Sequence, residues 1–256
     1  MRRSGALLAG LLLALPAAAA ELHVRVEGEV RQPGEYRIAD GARFADAVLA
    51  AMPTPAAYAL GAAALRPSAL PEQRRLKASL LYDLEALAAD PSLPPAVAQR
   101  IPALRQWLQA LPVTGRVRAD LDPRRLEIDT ASNRLLADGD RFVYPPRPDT
   151  VTVLGAVATP CTLPYMPLRD AADYLRDCAV DAAADRDLLY ALQPDGEVQR
   201  LGIAAWNRSA PQALAPGAVL YVPLDERALR GRAPEFNATL AQFLATQPLE
   251  TGTAAR

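Results

Sequence analysis

The sequence predicts an α+β chain made of two copies of one unit, and three observations carry that prediction. One segment recurs at an offset of 127 residues, another recurs at an offset of 78, and two helical stripes account for the 49-residue difference. In the first repeat, Val24-Arg25-Val26-Glu27-Gly28-Glu29-Val30-Arg31-Gln32-Pro33 lies over Val151-Thr152-Val153-Leu154-Gly155-Ala156-Val157-Ala158-Thr159-Pro160. Val24, Val26, Gly28, Val30 and Pro33 match without a gap, and the same offset pairs Ala45 with Ala172 and Asp46 with Asp173. Self-similarity of this kind marks duplicated supersecondary units.

Each copy opens with an alternating strand, a glycine and a proline-containing turn. A second short strand follows, Gly34 to Ile38 in copy one and Thr162 to Tyr165 in copy two. A short helix comes next. In copy one Asp40 is placed to cap it, and Phe44, Ala47, Val48 and Ala51 form its apolar face. In copy two Ala171, Tyr174, Leu175 and Cys178 do the same. Strand, turn, strand, helix is how a β-grasp (ubiquitin-like) domain begins. The copies also end alike: Leu136 to Pro145 lies over Leu214 to Pro223, each a turn, a glycine and an apolar closing strand. Two tandem β-grasp domains are expected, over residues 21–147 and 148–226.

The surplus in copy one reads as a helical hairpin inserted over about 55–111. Leu76, Leu80, Leu84 and Leu87 form one stripe, and Val97, Ile101, Leu104, Leu108 and Leu111 form the other. Asp90-Pro91-Ser92-Leu93-Pro94-Pro95 breaks the chain between them. Pro102 is expected to kink the second helix or to move its start. About 50 residues make a poor core alone, so the hairpin should dock on a neighbour. In copy two, Leu188 to Leu192, a Pro194-Asp195-Gly196 turn and Val198 to Ile203 form a β-hairpin. Residues 227–256 hold a C-terminal amphipathic helix, Pro234 to Thr246, with Phe236, Leu240, Phe243 and Leu244 on one face. It is too short to span a bilayer. Three uses of that face stay open: packing on the second domain, peripheral membrane contact, or a ring of copies.

Residues 1–20 read as a signal peptide. Arg2 and Arg3 form the basic start, Leu7 to Leu15 the apolar run, and Ala17 to Ala20 the cleavage site. With 28 basic against 29 acidic residues, nothing points to nucleic acid. The single histidine, His23, rules out a multi-histidine zinc site, and no metal or cofactor is expected. The single lysine, Lys77, rules out a phosphate loop ending in Gly-Lys. Arginine outnumbers lysine 27 to 1, a coding bias that weakens any argument from arginine clusters. Cys161 and Cys178, 17 residues apart, favour a disulfide in an oxidising compartment; the alternative is two buried thiols.

Several segments carry a resemblance. Gly28-Glu-Val-Arg-Gln-Pro-Gly-Glu-Tyr36 resembles the opening of SLBB modules, the β-grasp units of polysaccharide export proteins. Leu111-Pro-Val-Thr-Gly-Arg-Val117, with Leu121-Asp-Pro123 behind it, resembles the GfcC family of capsule biosynthesis proteins. So do Val151-Thr-Val-Leu-Gly-Ala-Val157, Ala205-Trp-Asn207 and the terminal helix. The likeness runs over nearly all of the chain after residue 20. It implies a non-enzymatic periplasmic protein of a Gram-negative bacterium, serving assembly or export of capsule or exopolysaccharide. The implied partners are the export machinery, an outer-membrane pore, or the polysaccharide itself. Wza-type pores have a similar domain organisation, so a pore subunit is one alternative and a polysaccharide-modifying enzyme another.

Arg116 matches an arginine that GfcC-like proteins place in a pocket near the domain junction. It is expected either to contact a ligand or to serve as a strut between domains. Trp206 and Asn207 are candidates for a sugar-stacking patch, against the alternative that the tryptophan covers a core. Asp120 and Asp122 have the composition of a glycosidase pair, but carboxylates at turns and strand ends are ordinarily structural. No catalytic residue is assigned.

Overall fold

The computed structural model describes residues 21–251, so the expected signal peptide lies outside the described residues. The first unit comprises β1 (Glu21–Gly28), β2 (Gly34–Ala39), α1 (Phe44–Ala51), β3 (Ala63–Leu65), α2 (Leu70–Ala88), α3 (Pro95–Ala110), β4 (Arg116–Val117), α4 (Pro123–Ile128) and β5 (Arg141–Tyr144). The second comprises β6 (Thr150–Gly155), β7 (Cys161–Pro164), a 3-10 segment (Ala171–Asp177), β8 (Leu188–Leu192), β9 (Val198–Gly202) and β10 (Val219–Val222). Helices α5 (Glu226–Leu229) and α6 (Phe236–Ala245) follow.

The two sheets share one strand order, β2-β1-β5-β3-β4 and β7-β6-β10-β8-β9. In each, the first and last strands run parallel side by side and the other pairings are antiparallel. Both sequence offsets have structural counterparts. Gly139 N–H bonds to His23 O at 2.8 Å and Gly217 N–H to Thr150 O at 2.7 Å. Arg25 N–H bonds to Asp140 O at 2.9 Å and Thr152 N–H to Ala218 O at 3.1 Å. Gly28 and Gly155 end their strands with φ of +94° and +103°. A Cβ there would lie 2.0 Å from Tyr144 O and 2.3 Å from Val222 O, so the close approach of the closing strand requires glycine at both positions.

Alternation on β1 puts Val24 and Val26 inside, against Phe44, Ala47, Val48 and Ala51 of α1 and Phe142 and Tyr144 of β5. Phe44 and Phe142 meet edge to face, ring centroids 4.9 Å apart. Helix α1 begins at Phe44, where Asp46 accepts the Arg43 N–H at 2.7 Å. Asp40 is not its cap; its carboxylate takes the Gly41 N–H in the preceding turn.

The hairpin occupies 70–110. Residues 63–65, within the span expected for the insert, form β3 of the first sheet. The hairpin docks away from the sheet that carries it. Leu80, Leu84, Leu87, Val97, Ile101, Leu104 and Leu108 belong to one core with Val151, Val153, Leu189 and Leu220 of the second sheet and Phe236, Leu240 and Phe243 of α6. Seven such side chains buried there contribute an upper bound of roughly 10–20 kcal/mol to joining the units. Polar ties reinforce the contact. Arg100 donates to Gly155 O at 3.1 Å and to Val157 O, and lies 3.7 Å from Asp181. Arg232 bonds to Asp90 and, at 2.6 Å, to Ser92.

Helix α3 starts at Pro95 and carries Pro102 inside it, correcting the expected later start. Pro102 sits on the exposed face, where solvent can meet the carbonyl its missing N–H leaves unpaired. The expected helix of copy two is a 3-10 segment. Arg169 donates to Asp173 O at 2.7 Å and pairs with Asp177 at 2.6 Å, tying the segment to the preceding loop.

The face of α6 is spent on packing. Phe236, Leu240 and Phe243 are fully buried and Leu244 nearly so. The peripheral membrane contact considered for these four side chains is therefore corrected: the core already holds them. Asn237, also buried, fixes the helix by accepting from Tyr221 OH at 2.9 Å and Leu224 N–H at 3.1 Å and donating to Leu224 O at 2.8 Å.

Candidate functional site

The chain leaves α3 through Thr114-Gly115 and enters the two-residue strand β4, paired with Leu65 and Ala64 of β3. Gly115 has φ +76°, and a Cβ there would lie 2.7 Å from Arg66 O. Gln73, buried on α2, clamps this passage: its amide nitrogen donates to Arg116 O and its oxygen accepts Gly115 N–H, both at 2.8 Å. The backbone that aims Arg116 is thus fixed from two sides.

Arg116 is 8% exposed. Its guanidinium donates to Ala245 O at 3.3 Å, Gln247 O at 3.0 Å and Pro194 O. Thr114 adds a bond to Thr246 O at 2.7 Å. One planar fork from the first sheet therefore joins the C-terminal end of α6 to the β8–β9 turn. A cation suits the carbonyl end of a helix, where the dipole is negative. Burial lowers the Arg116 pKa to about 10, with the nearby Asp195 opposing that shift, so the group stays charged at neutral pH.

Beside this strut lies a cleft of about 640 Å³, lined by Ala59, Leu60, Arg118, Ala119, Asp120, Asp122, Arg125, Arg134 and Asp195. Arg116 is not part of the lining. Arg118 crosses between the units to Asp195 at 3.2 Å and Glu197 at 2.8 Å. Asp120 pairs with Arg125 at 2.9 Å and accepts Asp122 N–H at 3.1 Å. Asp122 caps α4 by accepting Arg124 N–H at 2.9 Å and Arg125 N–H at 3.3 Å. Both carboxylates are engaged locally, a poor arrangement for general acid-base work.

Trp206 and Asn207 lie elsewhere, on the second unit, beside a cavity of about 330 Å³. Trp206 is 75% exposed, so it does not cover the core. Asn207 holds its loop: it donates to Asp187 O at 2.9 Å and accepts Ala204 N–H at 3.0 Å. Cys161 and Cys178 stand with sulfurs 2.04 Å apart, linking the start of β7 to the end of the 3-10 segment. Among the described residues, no group of three or more His, Cys, Asp or Glu is placed to hold a metal ion.

Sequence reasoning singled out Arg116 and missed Arg118, Arg125 and Arg134, which line the cleft. The alternating charges of Arg116, Arg118, Asp120 and Asp122 were a signal. Their partners Asp195 and Glu197 come from the other unit, and no local pattern joins the two.

Comparison with known proteins adds the family. Residues 20–146 match the family model "Capsule biosynthesis GfcC, N-terminal" and residues 159–248 match "Capsule biosynthesis GfcC C-terminal". A relative, the uncharacterized protein YjbG of Escherichia coli K12, is 35% identical over 170 residues, 66% of this chain and 68% of its own length. Two matched halves in order, over two sheets of one strand order, show that the chain belongs to the GfcC family of capsule biosynthesis proteins.

Proposed function

We propose that this protein is a periplasmic, non-enzymatic factor in assembly or export of capsule or exopolysaccharide, acting by binding the polymer or the export machinery. Family membership gives the role in capsule biosynthesis. The exported location rests on the signal-like residues 1–20. On this reading the two sheets are two tandem β-grasp domains, 21–147 and 148–226, supported by the shared strand order with a parallel central pair. Arg116 acts as the strut that sets the angle between them.

The single observation that carries the binding reading is the polar cleft at the junction, whose carboxylates Asp120 and Asp122 are tied to Arg125 and to the start of α4. Such a site favours recognition over turnover. Incubating the purified protein with oligosaccharides of the exported polymer tests this directly. Unchanged chain lengths support the binding role, and shortened or chemically altered chains refute it. The pore-subunit reading requires α6 to release Phe236, Leu240, Phe243 and Leu244, at an upper-bound cost of roughly 6–12 kcal/mol. A monomer in detergent-free solution supports the packed form, and rings refute it.

A further inference from the structure

We infer that Trp206 and the charged side chains around it form a saccharide-binding site on the second unit, taking a hydroxyl-rich pyranose ring of the polymer. This rests on the polysaccharide reading above and names the site and ligand class. It stands apart from the junction cleft and shares no lining residue with it.

Two observations converge. Trp206 is 75% exposed on a loop held by hydrogen bonds. Gly202 N–H bonds to Ser209 Oγ at 2.9 Å, Ser209 N–H to Gly202 O at 2.9 Å, and Ile203 N–H to Asp187 O at 2.9 Å. Asn207 closes the turn from inside, and a Cβ on Gly202 would lie 2.0 Å from Asn207 O. The loop that carries the indole is therefore held by construction, and its backbone ordering is prepaid, which favours binding.

The neighbours are the second observation. The cavity beside Trp206 is walled by Arg200, Arg227 and Arg230 against Asp185, Asp187 and Glu226. Asp187 pairs with Arg227 at 2.9 Å and Glu226 with Arg200 at 3.0 Å. Three positive and three negative groups leave no net field for a strongly anionic ligand. Asp185 is engaged by the Asp187 and Glu226 N–H groups, but Arg230 and the two ion pairs offer planar donors and acceptors side by side, which is what a ring of hydroxyls needs, since each hydroxyl both donates and accepts. The apolar C–H face of a pyranose then stacks on the indole.

The test uses the purified chain, residues 21–256, carrying Trp107→Phe so that Trp206 is the only indole. The probes are size-fractionated fragments from partial acid hydrolysis of the strain's own exported polysaccharide, with polygalacturonate fragments as a charged control. The expected result is saturable quenching of Trp206 by the native fragments. In calorimetry, Trp206→Ala and Arg230→Ala weaken binding at least about tenfold, and Trp206→Phe falls between them and the parent. Their melting temperatures should match the parent's, because both side chains are exposed. The inference is overturned if native fragments do not quench, if polygalacturonate binds more tightly, or if Trp206→Ala binds as well as the parent. In the last case the polysaccharide reading survives and only this site falls.

Discussion

Replacing Arg116 by methionine keeps much of the volume and removes the fork. Three bonds to carbonyls disappear, to Ala245, Gln247 and Pro194. Hydrogen bonds from a charged donor contribute about 1.5–3 kcal/mol each, so roughly 4–9 kcal/mol is at stake. Relief works the other way. The guanidinium is buried at a cost that lowers its pKa to about 10, on the order of 3 kcal/mol. The balance is a net loss on the order of 3 kcal/mol, with orphaned carbonyls at the α6 terminus and the β8–β9 turn. The assay is urea unfolding at neutral pH, followed by far-UV circular dichroism and tryptophan fluorescence. Trp107 packs against the core of the second unit and reports its unfolding, whereas dichroism reports both units. Arg116→Met should lower the midpoint, and Arg116→Lys should fall between, since one ammonium cannot span three carbonyls on two elements. The folded pKa lies below the unfolded one, so the unfolded state holds the extra proton from about pH 10 upward until it too titrates. Stability from this group therefore rises with pH only in that window and is flat below about pH 9. A methionine variant within about 0.5 kcal/mol of wild type would refute the strut.

Two further outcomes follow from the same geometry. The Asp90 carboxylate is held down to about 2 by hydrogen bonds from Ser92 and Arg232. A lowered folded pKa means its stabilising effect is complete above about pH 4 and is lost as pH falls towards 2, so Arg232→Ala should flatten the acid limb of a stability–pH profile over that window. Mass spectrometry of unreduced, alkylated protein should find Cys161 and Cys178 protected. Closing that 17-residue separation should contribute about 3 kcal/mol, so a Cys161→Ser, Cys178→Ser double variant that melts like wild type would count against the bond.

Much of the architecture is written in local patterns. The Val24/Val151 and Gly28/Gly155 matches encode strands that end where a closing strand comes too near for a side chain, which is why they persist in both copies. The stripes of α2 and α3 are legible because helical period and leucine spacing coincide. Their docking partner is not, because a stripe states that a face is buried but not against what; here it is the other unit. Pro102 does not set the start of α3, because its cost depends on which face of the helix it occupies. The spacing of Ala171, Tyr174, Leu175 and Cys178 states a buried helical face but does not separate the α from the 3-10 form. Arg116 was singled out through resemblance. Its carbonyl partners carry no sequence mark, since backbone groups accept irrespective of residue type.

The central claim is that this chain serves surface polysaccharide. Its most direct test is the quantity of polymer at the surface and in the periplasm of a strain lacking the protein, complemented by wild type or by Arg116→Met with the abundance of each checked. The account predicts that surface polymer falls in the deletion, that wild type restores it, and that a stably accumulated Arg116→Met chain restores it poorly. Unchanged surface polymer in the deletion strain would contradict the claim.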